Sequence, residues 1–240
     1  MKKVMIRKST RPAGLLVRGV VAVALLLVLA VPVFSADGRV EYVEGEVWIE
    51  RDGQRLVADF GDDLDSTDVV TTGANGTAII SVGERAEIKL REDTSVVVSQ
   101  ADGAGDVELR SGGVFARVTR VAGAAVGARP VFSVRTRTTV AGVRGTQFFV
   151  AFGQTVDQDP DVWLCVNEGT VEVAIPSTGQ TTMVEEGEGI SILGGTRATD
   201  PRFYQWTTEL NWNFDPESGA VTDRTDLSAA YSDLLDQDYD

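Results

Sequence analysis

Residues 132–152 read FSVRTRTTVAGVRGTQFFVAF. The stretch begins with the alternation Phe132, Val134, Thr136 and ends with Phe148, Val150, Phe152, which predicts two half-buried strands around a short middle holding Gly142 and Gly145. Glycine inside a strand pattern marks a bulge or a close backbone approach. Arg144, between Val143 and Gly145, places one long cation where the chain turns inward. It is expected to be a buried structural cation held by an acid.

The same period-two text runs outward from this stretch in both directions. Val47/Ile49, Ala78/Ile80/Val82, Ile88/Leu90, Val114/Ala116/Val118, Val171/Val173/Ile175 and Ile190/Ile192 alternate with polar or small residues. Turn signals such as Asp52-Gly53, Asp102-Gly103, Ser111-Gly112-Gly113, Ser177-Thr178-Gly179 and Glu186-Gly187 separate them. Residues 37–195 therefore predict an all-β body of short strands, a sandwich or roll, with a solenoid-like stack as the alternative. No helical period interrupts it before residue 200.

The residue inventory narrows the chemistry. Of 240 residues one is cysteine and none is histidine. That removes Ser-His-Asp and Cys-His catalysis, histidine-containing zinc sites and the usual neutral-pH proton shuttle. Cys165, inside Val162-Trp163-Leu164-Cys165-Val166, reads as a buried, inert thiol. Carboxylates are abundant enough for a two-carboxylate glycosidase by inventory alone, yet an acidic surface brings carboxylates together by chance. The chain reads as a non-enzyme without cofactor or metal. The acidic run 61–68 lacks the spacing of a calcium loop and reads as a solvated turn.

Residues 1–18 carry Lys2, Lys3, Arg7, Lys8, Arg11 and Arg18 and no acid, and residues 19–34 are an uncharged Val/Leu/Ala run. Residues 1–36 are thus expected to be a signal peptide, or an inner-membrane anchor spanning through 19–34 if uncleaved. Either outcome exports the body to the periplasm or cell surface. Without residues 1–36, 16 basic residues face 36 acids, a formal charge of −20. Such a body is not expected to bind nucleic acid.

That charge is unevenly spread. No acid occurs from residue 110 to 156, while Arg110, Arg117, Arg120, Arg129, Arg135, Arg137 and Arg144 all fall there. The bland expectation is pairing with acids on neighbouring strands. The functional one is a docking strip, Arg117, Arg120, Arg129, Arg135 and Arg137, for an acidic partner or an anionic glycan, with the loop 121–128 at its edge. Asp200-Pro201 reads as a helix start, with Phe203, Trp206 and Leu210 at helical spacing, so residues 196–214 predict an aromatic helix capping the β body. Trp206 and Trp212 would otherwise form an exposed platform for a sugar or a partner. The tail 215–240 holds eight acids and one base, with Leu227, Tyr231, Leu234 and Leu235 spaced for a short amphipathic helix that could fold back on the arginine band.

Val143-Arg144-Gly145-Thr146-Gln147-Phe148, followed by Asn167-Glu168-Gly169-Thr170-Val171-Glu172-Val173, resembles the signature of the FecR domain family. Arg144, Gly145, Thr146, Glu168 and Gly169 are the motif positions. Gly45-Glu46-Val47, Thr71-Thr72-Gly73 and Leu109-Arg110-Ser111-Gly112-Gly113 extend the likeness, which covers roughly residues 38 to 193. The resemblance implies an exported β domain of an envelope signal transducer that docks to a protein partner. Such proteins also carry a cytoplasmic anti-sigma region, which the roughly 18 residues before the apolar run are too few to supply, and no C-terminal βαβ signalling module is visible. The expectation is a non-catalytic exported FecR-domain protein that binds an envelope protein as an adaptor, with a glycan- or peptidoglycan-binding module as the alternative.

Overall fold

The computed structural model describes residues 36–120, 130–155 and 160–236. Residues 1–35 of the predicted targeting segment, the stretch 121–128 and Arg129 lie outside the described residues. Among the described residues no helix is long and apolar enough to cross a membrane.

Eighteen strands follow one another: β1 (Gly38–Glu44), β2 (Val47–Arg51), β3 (Gln54–Val57), β4 (Asp63–Leu64), β5 (Val69–Thr72), β6 (Thr77–Val82), β7 (Ala86–Leu90), β8 (Ser95–Ala101), β9 (Ala104–Val118), β10 (Phe132–Arg135), β11 (Val140–Val143), β12 (Gln147–Thr155), β13 (Pro160–Glu168), β14 (Thr170–Ile175), β15 (Gln180–Glu185), β16 (Glu188–Leu193), β17 (Arg197–Ala198) and β18 (Arg202–Phe203). A 3-10 turn (Gln205–Thr208) and one α-helix, α1 (Leu227–Asp236), complete the described chain.

The pairings make two sheets. Sheet A runs β4-β1-β6-β7-β9-β12-β13-β16, with β17 and β18 on the free side of β16. Sheet B runs β3-β2-β5-β8-β9-β10-β11-β14-β15. Fifteen-residue β9 belongs to both: Ala104 to Ser111 pairs in sheet B and Gly112 to Val118 in sheet A. The all-β expectation holds: the two sheets face each other, and within each the strands lie nearly in chain order. The two-residue turns at Asp52-Gly53 and Asp102-Gly103 have φ of 51° and 73°, and 52° and 77°, the doubly positive geometry that Asp-Gly supplies in a tight hairpin.

One core lies between the sheets. On sheet A it takes Ile80, Ile88, Val114, Phe148, Val150, Leu164 and Ile190; on sheet B it takes Ile49, Val70, Val98, Leu109, Phe132, Val173 and Ile175. The residues between them on sheet A are also apolar. Ile79, Phe115, Phe149, Ala151, Trp163 and Cys165 face the other way, into a second core with Tyr204, Leu210, Phe214, Val221, Tyr231 and Leu234. The C-terminal segment is thus a strap across the outer face of sheet A. That explains why β12 reads FFVAF and β13 reads VWLCV without alternation: a strand buried on both faces has no polar side. The expectation of a half-buried strand at Phe148, Val150 and Phe152 is corrected accordingly.

Rings run from sheet to strap, edge to face except for the tilted Phe115–Phe149 pair. Phe115 and Phe149 lie 4.7 Å apart, Phe149 and Trp163 5.2 Å, Trp163 and Tyr204 5.9 Å, and Phe115 and Trp212 5.1 Å. The polar fasteners come from β7 and its end. Lys89 Nζ, 1 % exposed, donates to the carbonyls of Asn211 and Asn213 and lies 4.4 Å from the Phe115 ring centroid. Arg91 pairs with Asp223 (3.3 Å) and donates to Thr225 O (3.0 Å). Tyr231 donates to buried Asp161, and Tyr204 to Ala230 O.

The aromatic helix expected within 196–214 is not formed. Arg202 and Phe203 pair with Gly189 and Glu188 of β16, and Tyr204 N donates to Gly187 O at 2.8 Å, so the β16 edge draws these residues into a strand. Only Gln205–Thr208 turns, as 3-10, and the segment covers a sheet face rather than an open end. The amphipathic stripe farther on does form a helix. Asp226 Oδ1 accepts from the N–H groups of Ser228 (3.0 Å) and Ala229 (3.1 Å), capping α1, which buries Tyr231 and Leu234. It packs beside β16 and not on the arginine band.

Burial pushes the Lys89 ammonium down to about 8 from its usual 10.5. Between those values the unfolded chain holds the proton that the folded one has released, so unfolding free energy rises with pH there. Guanidinium titrations between pH 8 and 9.5 should show a slope more positive in the wild type than in Lys89→Met, by at most about 1.4 kcal/mol per pH unit, since the raised Cys165 thiol adds the same opposite slope to both proteins. The window stops below pH 10 because burial raises the Tyr204 and Tyr231 hydroxyls, which gives the opposite slope above it. Equal slopes in the two proteins would refute the assignment.

At the sheet-to-sheet passage of β9, Gly112 has φ +87°, and a Cβ there would stand 2.6 Å from Thr94 Cα and 2.7 Å from Asp93 O. Gly53 has φ +73° with nothing within 4 Å. Gly53→Ala should cost about 1 kcal/mol, the left-handed backbone alone, and Gly112→Ala about 2–4 kcal/mol, because backbone must also move. Urea midpoints of the two variants test the ordering.

Candidate functional site: an arginine-lined cleft

The quoted stretch holds three strands rather than two. β10 and β11 form a hairpin in sheet B, and the chain then crosses at Arg144-Gly145-Thr146 into β12 of sheet A. β13 of sheet A returns to β14 of sheet B through Gly169, and the two crossings touch. Thr146 Oγ1 donates to Thr170 O at 3.1 Å, Val118 N donates to Thr146 O at 2.9 Å, and a Cβ on Gly169 would lie 2.9 Å from Gly145 O. Gly145 itself has φ +102°, with a Cβ position 2.6 Å from Arg120 Cα. The motif residues are the corner where two intersheet crossings pass each other at backbone distance. Arg144 is half-buried there, not buried as expected.

The arginine band divides into two groups. Arg117 and Arg120 stand at this corner, around a recess of about 80 Å³ that also touches Gly145, Thr146, Gln147 and Glu168. Arg117 is cross-strand from Glu87 and ion-paired to it, with its guanidinium 4.7 Å from the Phe214 ring. Arg120 is exposed. Arg110 lies seven residues before Arg117 on β9, roughly 20 Å away at strand rise. Arg110, Arg135 and Arg137 instead line a cleft of about 530 Å³ with Glu108, Phe152 and Pro160.

The cleft follows from the only parallel pairing among the described strands. β9 and β10 run side by side with Glu108 opposite Arg135, which brings the acids of one strand to the cations of the other. Arg135 and Ser133 both donate to Asp106, and Arg110 Nε donates to Glu108 at 3.3 Å. Arg137 is exposed at the tip of a turn fixed by Thr136, whose N–H donates to Thr139 O (2.9 Å) and whose Oγ1 accepts from the N–H groups of Thr138 and Thr139. Arg137 makes no ion pair with any described residue. The expected pairing with acids on neighbouring strands therefore holds for Arg117 and Arg135; Arg110 pairs within its own strand, and Arg120 and Arg137 are exposed.

Trp206 and Trp212 are half-buried against the second core. Their indole N–H groups donate to Asp233 (3.1 Å) and Thr207 O (2.6 Å), so they hold the strap rather than form an exposed platform. Asp68, expected in a solvated turn, is 0 % exposed and holds Arg51 Nε at 2.9 Å; that hydrogen bond lowers its carboxyl despite burial. Among the described residues no three carboxylate or cysteine groups are placed for a metal ion. The groups that burial moves furthest are Lys89, Cys165 (pushed up to about 12), Tyr204 and Tyr231, all under the strap, and none lines the cleft. The inter-layer charges Lys89, Arg91, Asp161 and Asp223 escape a sequence reading, because Ile88-Lys89-Leu90 looks like an ordinary strand with one solvent face.

Fold and site together give an all-β sandwich with an arginine-lined cleft in an acidic protein. Residues 68–172, β5 into β14, match the FecR protein family model, and both glycine corners and the cleft's arginines lie inside the matched stretch. FecR is a regulatory, non-enzymatic family. Two crystal structures of a protein provisionally described as an anti-sigma factor from Parabacteroides distasonis, at 2.50 and 1.65 Å, are similar at 20 % identity and TM-score 0.45. Each similarity covers 56 % of this chain and 59 % of that one. Comparison with curated proteins finds no match.

Proposed function

We propose that the chain is a non-catalytic, exported FecR-domain protein that binds an acidic segment of an envelope protein and so acts as a periplasmic or cell-surface signalling adaptor. The observation that carries this reading is the gathering of Arg110, Arg135 and Arg137 around one open cleft floored by Phe152 and Pro160, in a protein otherwise rich in acids. Guanidinium groups suit planar carboxylates, and the cluster of Arg110, Arg135 and Arg137 stays net positive after Asp106 and Glu108 are counted, which favours acidic partners. The basic residues 1–18 and the apolar run 19–34 support export, and the FecR match supports a regulatory role. The glycan-binding alternative loses its aromatic platform, since both tryptophans are committed to the strap.

A photo-crosslinking residue placed at Thr136 should capture a discrete partner in intact cells. Arg135→Glu with Arg137→Glu should lower that capture by about tenfold, and Arg120→Glu should leave it unchanged. Equal capture by all three proteins would show that a different surface docks.

A further inference from the structure

We infer that the free edge of β3 is a second docking site, which accepts an extended, lysine- or arginine-bearing apolar segment of another protein as an added strand. The hairpin register fixes the geometry. Arg51 and Gln54 close the two-residue turn, Ile49 is opposite Leu56, and Ala58 N donates to Val47 O at 3.0 Å. Hydrogen-bonded pairs alternate along an antiparallel ladder, so Gln54, Leu56 and Ala58 turn their backbone groups toward β2. The N–H and C=O groups of Arg55 and Val57 consequently point away from the sheet, and no described strand pairs with them.

Side chains on this edge are apolar to an unusual degree for exposed positions. Val57 is 78 % exposed, Phe60 70 % and Leu56 45 %, the three falling within residues 56–60, on and just after β3. Leu56 shares the inner face with Ile49, and Val57 the outer face with Trp48, whose ring is covered by Arg55 at 3.8 Å. An added strand would lay its inward side chains on Leu56 and its outward ones over Val57, the two-sided pattern of strand addition.

Charge selects the occupant. Glu50, Asp52, Asp59 and Asp65 are exposed around the edge and form no ion pair with described residues, whereas Arg51 is taken by Asp68 and Arg39 by Asp63. Lysine stems can cover Val57 while their ammonium groups reach these acids. A second copy of this chain would bring like charge, −20 for the body, to an edge that is already acidic. The site is independent of the arginine cleft, which has the opposite sign.

The probe is an end-capped octapeptide of alternating valine and lysine, with a valine–glutamate octapeptide as control, titrated into the full chain. The expected result is saturable binding of the lysine peptide only, with the amides of Arg55 and Val57 exchanging fast in the free protein and slowly in the complex. Leu56, bonded to β2, should exchange slowly in both. Val57→Pro removes one outward N–H and no ladder bond, and should weaken binding by about tenfold with an unchanged melting temperature. Glu50→Lys with Asp59→Asn, neither at a positive-φ position, should weaken it comparably, while Arg137→Glu should not. Equal binding of the glutamate peptide, or undiminished binding by both edge variants, would overturn the proposal. So would Arg55 and Val57 amides already slow without peptide, whether independently of protein concentration, from the chain's own residues 1–35, or with rising concentration, from a second copy.

Discussion

Every other feature of this molecule depends on sheet A being buried on both faces. In β12 the adjacent Phe148 and Phe149 point into different cores, and in β13 Trp163 lies between Val162 and Leu164 in the same way. A strand of that composition leaves a row of large apolar side chains in water unless a third layer covers it, and each costs about 1.5–3 kcal/mol exposed. The strap supplies that layer with aromatic and aliphatic side chains, although its own composition is acidic. Its acids are kept to the outside or given partners: Asp226 caps α1, Asp233 accepts from Trp206, and Asp223 meets Arg91. Burying Lys89 and Arg91 is unfavourable by itself, and strap carbonyls offset it. Lys89 and Arg91 thereby specify where the strap lies, since an apolar face alone would tolerate several registers.

The second constraint is local and concerns glycine. A two-sheet sandwich in which one strand serves both sheets needs places where the backbone turns from one layer to the other, and among these are Gly112 in β9 and the paired crossings at Gly145 and Gly169. At each the φ is positive, and an added Cβ would meet neighbouring backbone. The signature Arg144-Gly145-Thr146 with Glu168-Gly169 is therefore scaffold. It fixes how β9, β10 and β12 lie together, and so where the arginines come out, without lining the larger cleft itself.

Much of this was legible from the residue order. Period-two runs, Asp-Gly hairpins and glycine at the crossings are local signals, and they yield an all-β body with close-packed turns. The FecR resemblance rests on the same residues. What stayed hidden depends on contacts distant in sequence. Phe203, Trp206 and Leu210 have helical spacing, but the unpaired edge of β16 competes for the same residues and wins. Ile88-Lys89-Leu90 alternates like a half-exposed strand, and only the arrival of Asn211 and Asn213, more than 120 positions away, makes its lysine a core residue. The arginine band appears continuous along the chain, yet the length of β9 places Arg110 and Arg117 at separate sites.

The cleft's chemistry sets what kind of recognition it can perform. Arg135 and Arg110 are already engaged by Asp106 and Glu108, so a docking carboxylate must share or displace an internal partner, and only Arg137 among the three is free of an ion pair with described residues. Exchange of one exposed carboxylate for another changes free energy little, because solvent-exposed pairs are worth about 0–1 kcal/mol each. Affinity at such a site comes chiefly from the apolar floor at Phe152 and Pro160 and from a fixed array of donors, while the charge contributes selection and association rate. Docking of the proposed acidic partner there would be reversible and sensitive to ionic strength. That behaviour suits a reporter that must release its partner, and it would be a poor design for a permanent structural joint.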